Sequence, residues 1–445
     1  MNPTIFKEQI ISAFQKLENA DHSLTDDVVR SYRQKSFETF SKLSFPTKKD
    51  EHWKYTNLDS LYSKAFSHSI SNDSNLTPEA LSVFLIPGVK CYNLVFINGK
   101  WSPSLSDYNG SKEMVDVLPI AEAVKNKSNE IASVLQKKSY NSQEVFDEMN
   151  ASFLNDGIYL RIKNGKVIDH PIQMLFISDS KSNNALIQPR NIIIGGKSSE
   201  ATIIERYVSI QSQSEYLTNS VTTIFAEENA VVHHVRIQEE SEKAYHVCTV
   251  NAELEANSTI NSFVFTVGSA LTRNNITANL NAENAAVSLN GLYLTTQSQH
   301  TDNHTVINHI KPNCNSIEIY KGILDDKSTG VFDGKIVVHK DAQKTNANQS
   351  NKNLLLSNNA HADAKPQLEI YADDVKCFHG ATVGQLDETQ LFYLKSRGIG
   401  HDFAKVLLTH AFAVDVLHSI KNTELRSFLD TVIMKKLKSP IHFEN

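Results

Sequence analysis

Cys377 and His379 stand two residues apart in the stretch Lys365-Pro366-Gln367-Leu368-Glu369-Ile370-Tyr371-Ala372-Asp373-Asp374-Val375-Lys376-Cys377-Phe378-His379-Gly380-Ala381-Thr382-Val383-Gly384. A soft thiolate and a borderline imidazole side by side suit a transition metal or a sulfur-containing group. A closed transition-metal site usually takes four ligands, so the pair is half a site. The same two residues also fit a buried thiol next to a hydrogen-bonded imidazole, and spacing alone does not separate the readings. Leu368, Ile370 and Ala372 alternate with Gln367, Glu369 and Tyr371, the period of a strand. A strand running on through Val375 projects Cys377 and His379 from one face. Gly380 and Gly384 then let the backbone turn or approach another surface closely.

Elsewhere the chemistry is thinner. His233-His234 and the set His300, His304 and His309 are further conceivable ligands, but QSQHTDNHTVINH is polar and is read as solvent-facing. Ile192-Ile193-Ile194-Gly195-Gly196-Lys197-Ser198 imitates a phosphate loop, yet Asn191 replaces the first glycine and a strand-like segment follows in place of a helix. Gly330-Val331-Phe332-Asp333-Gly334-Lys335-Ile336 fails on spacing and on the hydroxyl. The acidic pairs Glu239-Glu240 and Asp325-Asp326 have no special context, and no GxSxG, HExxH or GxGxxG is present. No self-contained catalytic machinery is expected, and the chain is read as a non-enzyme that binds no nucleotide itself.

The elements that must position the pair belong to a chain of 445 residues with net charge −6. Its isoelectric point is near 6.3, so no basic field points to nucleic acid. The run Lys435-Lys436-Leu437-Lys438 suits a helix C-terminus. The opening MNPTIFKEQI has no basic stretch leading into an apolar core, so no signal peptide is expected, and no apolar run is long enough for a membrane span. The cysteines Cys91, Cys248, Cys314 and Cys377 are widely separated, as for reduced thiols in the cytoplasm.

Residues 3–18 and 24–43 carry helical periodicity, with Thr25 or Asp26 as a cap and Pro46 as a stop. In PTKKDEHWKYTNLDSLY, basic residues alternate with Trp53 and Tyr55. Single-stranded nucleic acid could use that composition, but Asp50, Glu51 and Asp59 oppose it, and the segment is read as packing its aromatics on a neighbour. CYNLVFINGKW predicts a hairpin turning at Asn98-Gly99. Residues 112–136 and 144–152 predict a helical insertion.

From 157 to 375 short β-branched runs alternate with small polar turns. Junctions recur at Glu200-Ala201, Asn229-Ala230, Asn257-Ser258, Asn284-Ala285, Asn315-Ser316 and Asp341-Ala342, at spacings of 29, 28, 27, 31 and 26. A period near 28 with at least two strands predicts a β-solenoid, with asparagines able to stack into ladders. A sandwich with regular turns is the alternative. The flanking helices are available as caps, and an uncapped edge near 365–380 would suit a partner subunit. Three amphipathic helices, from Glu388 to about Arg397, at 401–420 and at 423–438, predict a separate C-terminal domain. The division is therefore 1–90 helical, 91–384 β-helix core with the insertion near 112–152, and 385–445 helical.

PTKKDEHWKYTNL, GVFDGKIVVHKDAQKTNANQSNKNLLLS, PQLEIYADDVKC-x-HGATVG and LFYLKSRGI together span 46–399 and resemble the SufB/SufD family of SUF iron–sulfur cluster assembly scaffolds. SufB members typically have a cysteine in the strand near 345–356 and a glutamate-rich segment where this chain has HGATVG. No cysteine lies between 315 and 376, so the likeness is to the SufD branch. Phe378 departs from the serine common in relatives and changes the bulk beside the site.

The resemblance implies a mainly β fold, a right-handed parallel β-helix flanked by N-terminal and C-terminal α-helical regions. It implies pairing with a SufB-like subunit through the solenoid edge and docking of a SufC-like ATPase on the C-terminal helices; a third reading, apart from the resemblance, is a homodimeric scaffold acting without SufB. The resemblance also implies a transient iron–sulfur cluster or iron at the SufB interface, held by His379 and more weakly by Cys377. ATP-driven closure of the ATPase would shift the paired solenoids and open the shared site to iron and sulfide. The rival reading is a polysaccharide-active β-helix enzyme, which needs carboxylates gathered on one solenoid face, and no acidic cluster at coil spacing is evident.

Overall fold

Asparagine sets the corners of the solenoid. The computed structural model describes residues 3–20, 27–68, 76–126, 131, 145–179 and 184–437. Left-handed backbone marks one corner of each coil at Ser198, Asn229, Asn257, Asn284, Asn313 and Lys344, and a second corner at Ser269, Gln297 and Asp326. Asn enters this conformation more readily than most side chains. The predicted junctions at Asn229, Asn257 and Asn284 fall on it, whereas the next two corners turn at Asn313 and Lys344, not Asn315 and Asp341. The stacked corners also bond to each other, Asn284 Nδ2 donating to Asn257 Oδ1 at 3.1 Å.

Between corners each coil gives one strand to each of two sheets. The first sheet contains Tyr216–Ala226, Tyr245–Leu254, Leu271–Leu280, His300–His309, Thr329–Val338 and His361–Ile370. The second contains Glu200–Ser209, Val231–Glu239, Thr259–Thr266, Ala286–Thr295, Asn315–Leu324, Thr345–Leu355 and Val375–Gly384. All of these pair in parallel. The register Glu200–Val231–Thr259–Ala286–Asn315–Asn346–Lys376 advances by 31, 28, 27, 29, 31 and 30 residues. Parallel pairing through every coil excludes the sandwich, and the result is a parallel β-helix of about seven turns. Its interior is filled by Ile203, Val232, Ile260 and Val287 from one sheet facing Ile224, Val250, Ile276 and Ile307 from the other.

Helices cover the outer faces, not the open end. Pro3–Ala20 and Asp27–Lys42 close Phe6, Phe14 and Phe40, with Phe45 just beyond the second helix, over Leu217, Val247 and Leu271 of the first sheet. His401–Leu417 and Thr423–Lys436 lay Val416, Leu425, Leu429 and Ile433 on Ile237, Phe265, Leu292 and Ile323 of the second. These C-terminal helices thus share a core with the solenoid and do not form the self-contained packing unit expected. The insertion also differs. Residues 115–119 form a strand antiparallel to Ile158–Ile162, and helix among the described residues is Ile120–Asn126, Ile131 and Val145–Ser152. Alternating apolar Val115 and Val117 satisfy a strand as well as a helix, and the pairing decides. Most of 127–144, and the caps Thr25 and Asp26, lie outside the described residues.

Candidate functional site

The last coil is where ladder pairing stops. His361–Ile370 and Val375–Gly384 are the terminal strands of their sheets, each paired on one side only. The continuous strand expected from Leu368 to His379 is broken by a corner at 371–374, so the two halves lie in different sheets. Lys344 N bonds Asp374 O at 2.6 Å and Asp374 N bonds Gln343 Oε1 at 2.9 Å, which fixes that corner.

Cys377 and His379 do share a face, as alternation requires. Their register partners are Ala347 and Gln349, both inward-facing and buried. The thiol and imidazole therefore point along the solenoid interior at its unfinished end. Cys377 is half-buried against the core cluster, and burial pushes its thiol pKa up. His379 is exposed. Phe378 is 64% exposed and lies on the opposite face of the strand, so its bulk does not crowd the imidazole. Gly380 and Gly384 lie in a strand, with open space where a Cβ would stand; neither turns, and neither meets another described residue there.

The remaining histidines are placed otherwise than expected. His309 is fully buried inside the coil, bonded to Ser316 Oγ at 2.8 Å, and burial drives its pKa to about 4. His300 and His304 point outward but are covered by the N-terminal segment. Thr56 Oγ1 sits 2.9 Å from His300 Nε2 and also bonds Asp302, while His304 Nε2 is 3.6 Å from Asp302 and 3.7 Å from Asp333. Burial, reinforced by Arg273, lowers the His304 pKa to about 3. His234 is buried between Glu205 (3.3 Å) and Ser262 (3.1 Å). No group of three or more His, Cys, Asp or Glu among the described residues has metal-site geometry. The half-site reading of Cys377 and His379 thus has no third ligand from the described part of this chain. The phosphate-loop imitation runs into the strand Glu200–Ser209, with no helix N-terminus to hold an anion.

Two features escaped the sequence reading. One is the column beneath His379, in which Gln349 and then Glu318 occupy the same inward register, Gln349 Nε2 donating to Glu318 Oε2 at 2.7 Å. The other is which neighbour the Trp53 segment packs on. The Arg273 guanidinium stacks 4.2 Å from the Trp53 ring and donates to His52 O at 3.0 Å. Lys365, on the terminal strand, pairs with Glu51 at 2.6 Å. This packing of Trp53 on a neighbour is what the sequence led us to expect.

Comparison with known proteins bears on the same segments. Residues 176–412 match the family described as SUF system FeS cluster assembly, SufBD core domain, and residues 5–174 match the SufBD protein N-terminal region. The chain belongs to the SufBD family. It is 31% identical to the iron–sulfur cluster assembly protein SufD of Escherichia coli, over 88% of this chain and 89% of that protein. It is likewise 31% identical to a SufBD family protein of Synechocystis, over 91% and 90%, and 26% identical to SufD of Bacillus subtilis, over 65% and 66%. SufBD membership places the chain in iron–sulfur cluster assembly by the SUF system. Among the described residues no helix is long and apolar enough to cross a membrane.

Proposed function

We propose that this chain is a non-catalytic scaffold subunit that joins a SufB-like sister through the open end of its β-helix, and that His379 contributes one ligand to iron or a nascent iron–sulfur cluster, the cargo, at the joint. One observation carries the reading: an inward-facing imidazole on an exposed terminal strand that has no third ligand nearby among the described residues. An incomplete ligand set at an unpaired strand edge favours a partner that supplies both backbone hydrogen bonds and the missing ligands. Cys377, half-buried with a raised pKa, is the weaker donor because ligation needs the thiolate.

A SufC-like ATPase is the proposed occupant of the C-terminal helices. The helix Glu388–Ser396 exposes Phe392 (72%) and Tyr393 (56%) while burying only Leu391, which supports a docking role. ATP hydrolysis by that partner, shifting the paired solenoids, would open the shared site to iron and sulfide.

The test is co-expression with SufB-like and SufC-like subunits, then anaerobic cluster reconstitution. His379→Ala leaves the complex assembled and lowers cluster yield at least tenfold, about the effect of losing one metal ligand or its support. A normal yield removes His379 from the site, and a chain that co-purifies with neither subunit removes the scaffold reading.

A further inference from the structure

Glu318, Gln349 and His379 occupy successive rungs of one inward column. The first two are buried, and their hydrogen bond has a direction. At pH 8, above the value of about 7 to which burial raises Glu318, its carboxylate only accepts, so the 2.7 Å contact to Oε2 is made by the Gln349 NH2 group. That choice fixes the amide against flipping and leaves Gln349 Oε1 as the free end. Gln349 Oε1 is buried and has no hydrogen-bond donor among the described residues. A buried carbonyl oxygen left unpaired is costly enough to call for a partner. Space for the amide is reserved by Gly334 of the facing strand, where a Cβ would stand 2.5 Å from Gln349 Nε2.

His379 lies one strand spacing away, about 4.8 Å, on the same face. Its ring makes no hydrogen bond to a described residue. A neutral imidazole has one N–H to give and one lone pair to offer, and whichever nitrogen donates leaves the other to bind metal. We propose that Gln349, oriented by Glu318, is a positioning residue that accepts one ring N–H of His379 and so selects the tautomer whose other nitrogen faces the open edge. In the structure the two groups stand in register without a hydrogen bond, and the selection requires the exposed His379 ring to turn onto Gln349 Oε1; it needs neither partner nor metal. Its functional meaning rests on the reading of His379 as a ligand, but its existence does not.

The experiment uses the full chain labelled with 15N-histidine, and long-range 1H–15N correlations at pH 8 report the two ring nitrogens. His379→Ala assigns the signal. Gln349→Met keeps the volume and removes the acceptor, and the tautomer ratio of His379 shifts about fivefold, the effect of one hydrogen bond. Glu318→Gln leaves Gln349 in place but lets its amide turn over, and the ratio shifts in the same direction by a smaller factor. That second variant also carries the test if Gln349→Met fails to fold. An unchanged ratio in the folded variants overturns the proposal. The cluster yield of His379→Ala is independent of it: a tautomer shift with normal yield sinks the ligand reading and leaves the relay, while an unchanged ratio with lost yield does the reverse.

Discussion

The Arg273 guanidinium lies 4.2 Å from the ring of Trp53, joining a coil strand to a segment more than two hundred residues earlier in the chain. Arg273 is buried, and it also pairs with Asp302, whose carboxyl is held below its usual range chiefly by that charge once burial is offset. Stacking on an aromatic face and a paired carboxylate are what a buried arginine requires.

Removing Arg273 strands Asp302 in the interior. Arg273→Ala is expected to destabilise the chain by about 3–5 kcal/mol, and Trp53→Ala by about 3–5 kcal/mol through the cavity it leaves. Urea unfolding measures both. Limited proteolysis between residues 44 and 62 is expected to accelerate in each variant, because this segment is held by those contacts. A midpoint unmoved by Arg273→Ala would show that the stack holds nothing.

The raised pKa of Cys377 has a kinetic consequence. Burial against the core disfavours the thiolate, so iodoacetamide modifies Cys377 more slowly at pH 7.5 than a free cysteine, and the rate keeps climbing above pH 9. Cys377→Ser is accordingly expected to reduce cluster yield far less than His379→Ala does. Rapid alkylation at neutral pH would reverse the ranking of the two residues.

Ala381 is exposed and inward-facing on the terminal strand, above Asn351. Ala381→Lys therefore costs the free chain less than about 0.5 kcal/mol, since the ammonium reaches water. A strand added to this edge would bury that charge, and pairing with a SufB-like subunit is lost. Thermal unfolding and co-purification read the two effects. Undiminished pairing would place the interface elsewhere.

Phe392→Ala with Tyr393→Ala tests the opposite region. Both rings are mostly exposed, so melting shifts little, while binding of a SufC-like ATPase weakens by about 2 kcal/mol or more if they are anchors. Retained binding would exclude the helix Glu388–Ser396 as the dock.

The coil period was legible because asparagine is among the few residues that take the corner conformation cheaply, so Asn229, Asn257 and Asn284 mark it in the sequence. The pairing of Cys377 with His379 was legible from alternation alone. The corner at 371–374 was not, because Ala372 continues the apolar parity of Leu368 and Ile370 and sits inward at the bend. Nor were the covered histidines. His300 lies in a polar segment and is partly covered by the N-terminal segment, whose Thr56 arrives from 244 residues away. Glu318 and Gln349 look like ordinary polar strand residues until the register stacks them under His379.

His309 and Glu318 give opposite pH dependences. His309 titrates near 6.5 when unfolded but at about 4 when folded. As pH falls from 6.5 towards 4 the unfolded chain takes up a proton that the folded chain refuses, and stability is lost over that window, on the order of 3 kcal/mol. Glu318 moves from 4.5 to about 7 through burial. Here the folded chain keeps the proton, so its contribution is complete below pH 4.5 and is lost as pH rises to 7, again on the order of 3 kcal/mol. Urea midpoints between pH 4.5 and 8 separate the two residues. His309→Asn flattens the acid limb, whereas Glu318→Gln raises the midpoint at pH 8 relative to the parent and leaves pH 4.5 nearly unchanged. A Glu318→Gln chain no more stable than the parent at pH 8 would mean that the carboxylate is ionised without penalty inside the coil, which its burial and its unpaired Oε1 oppose.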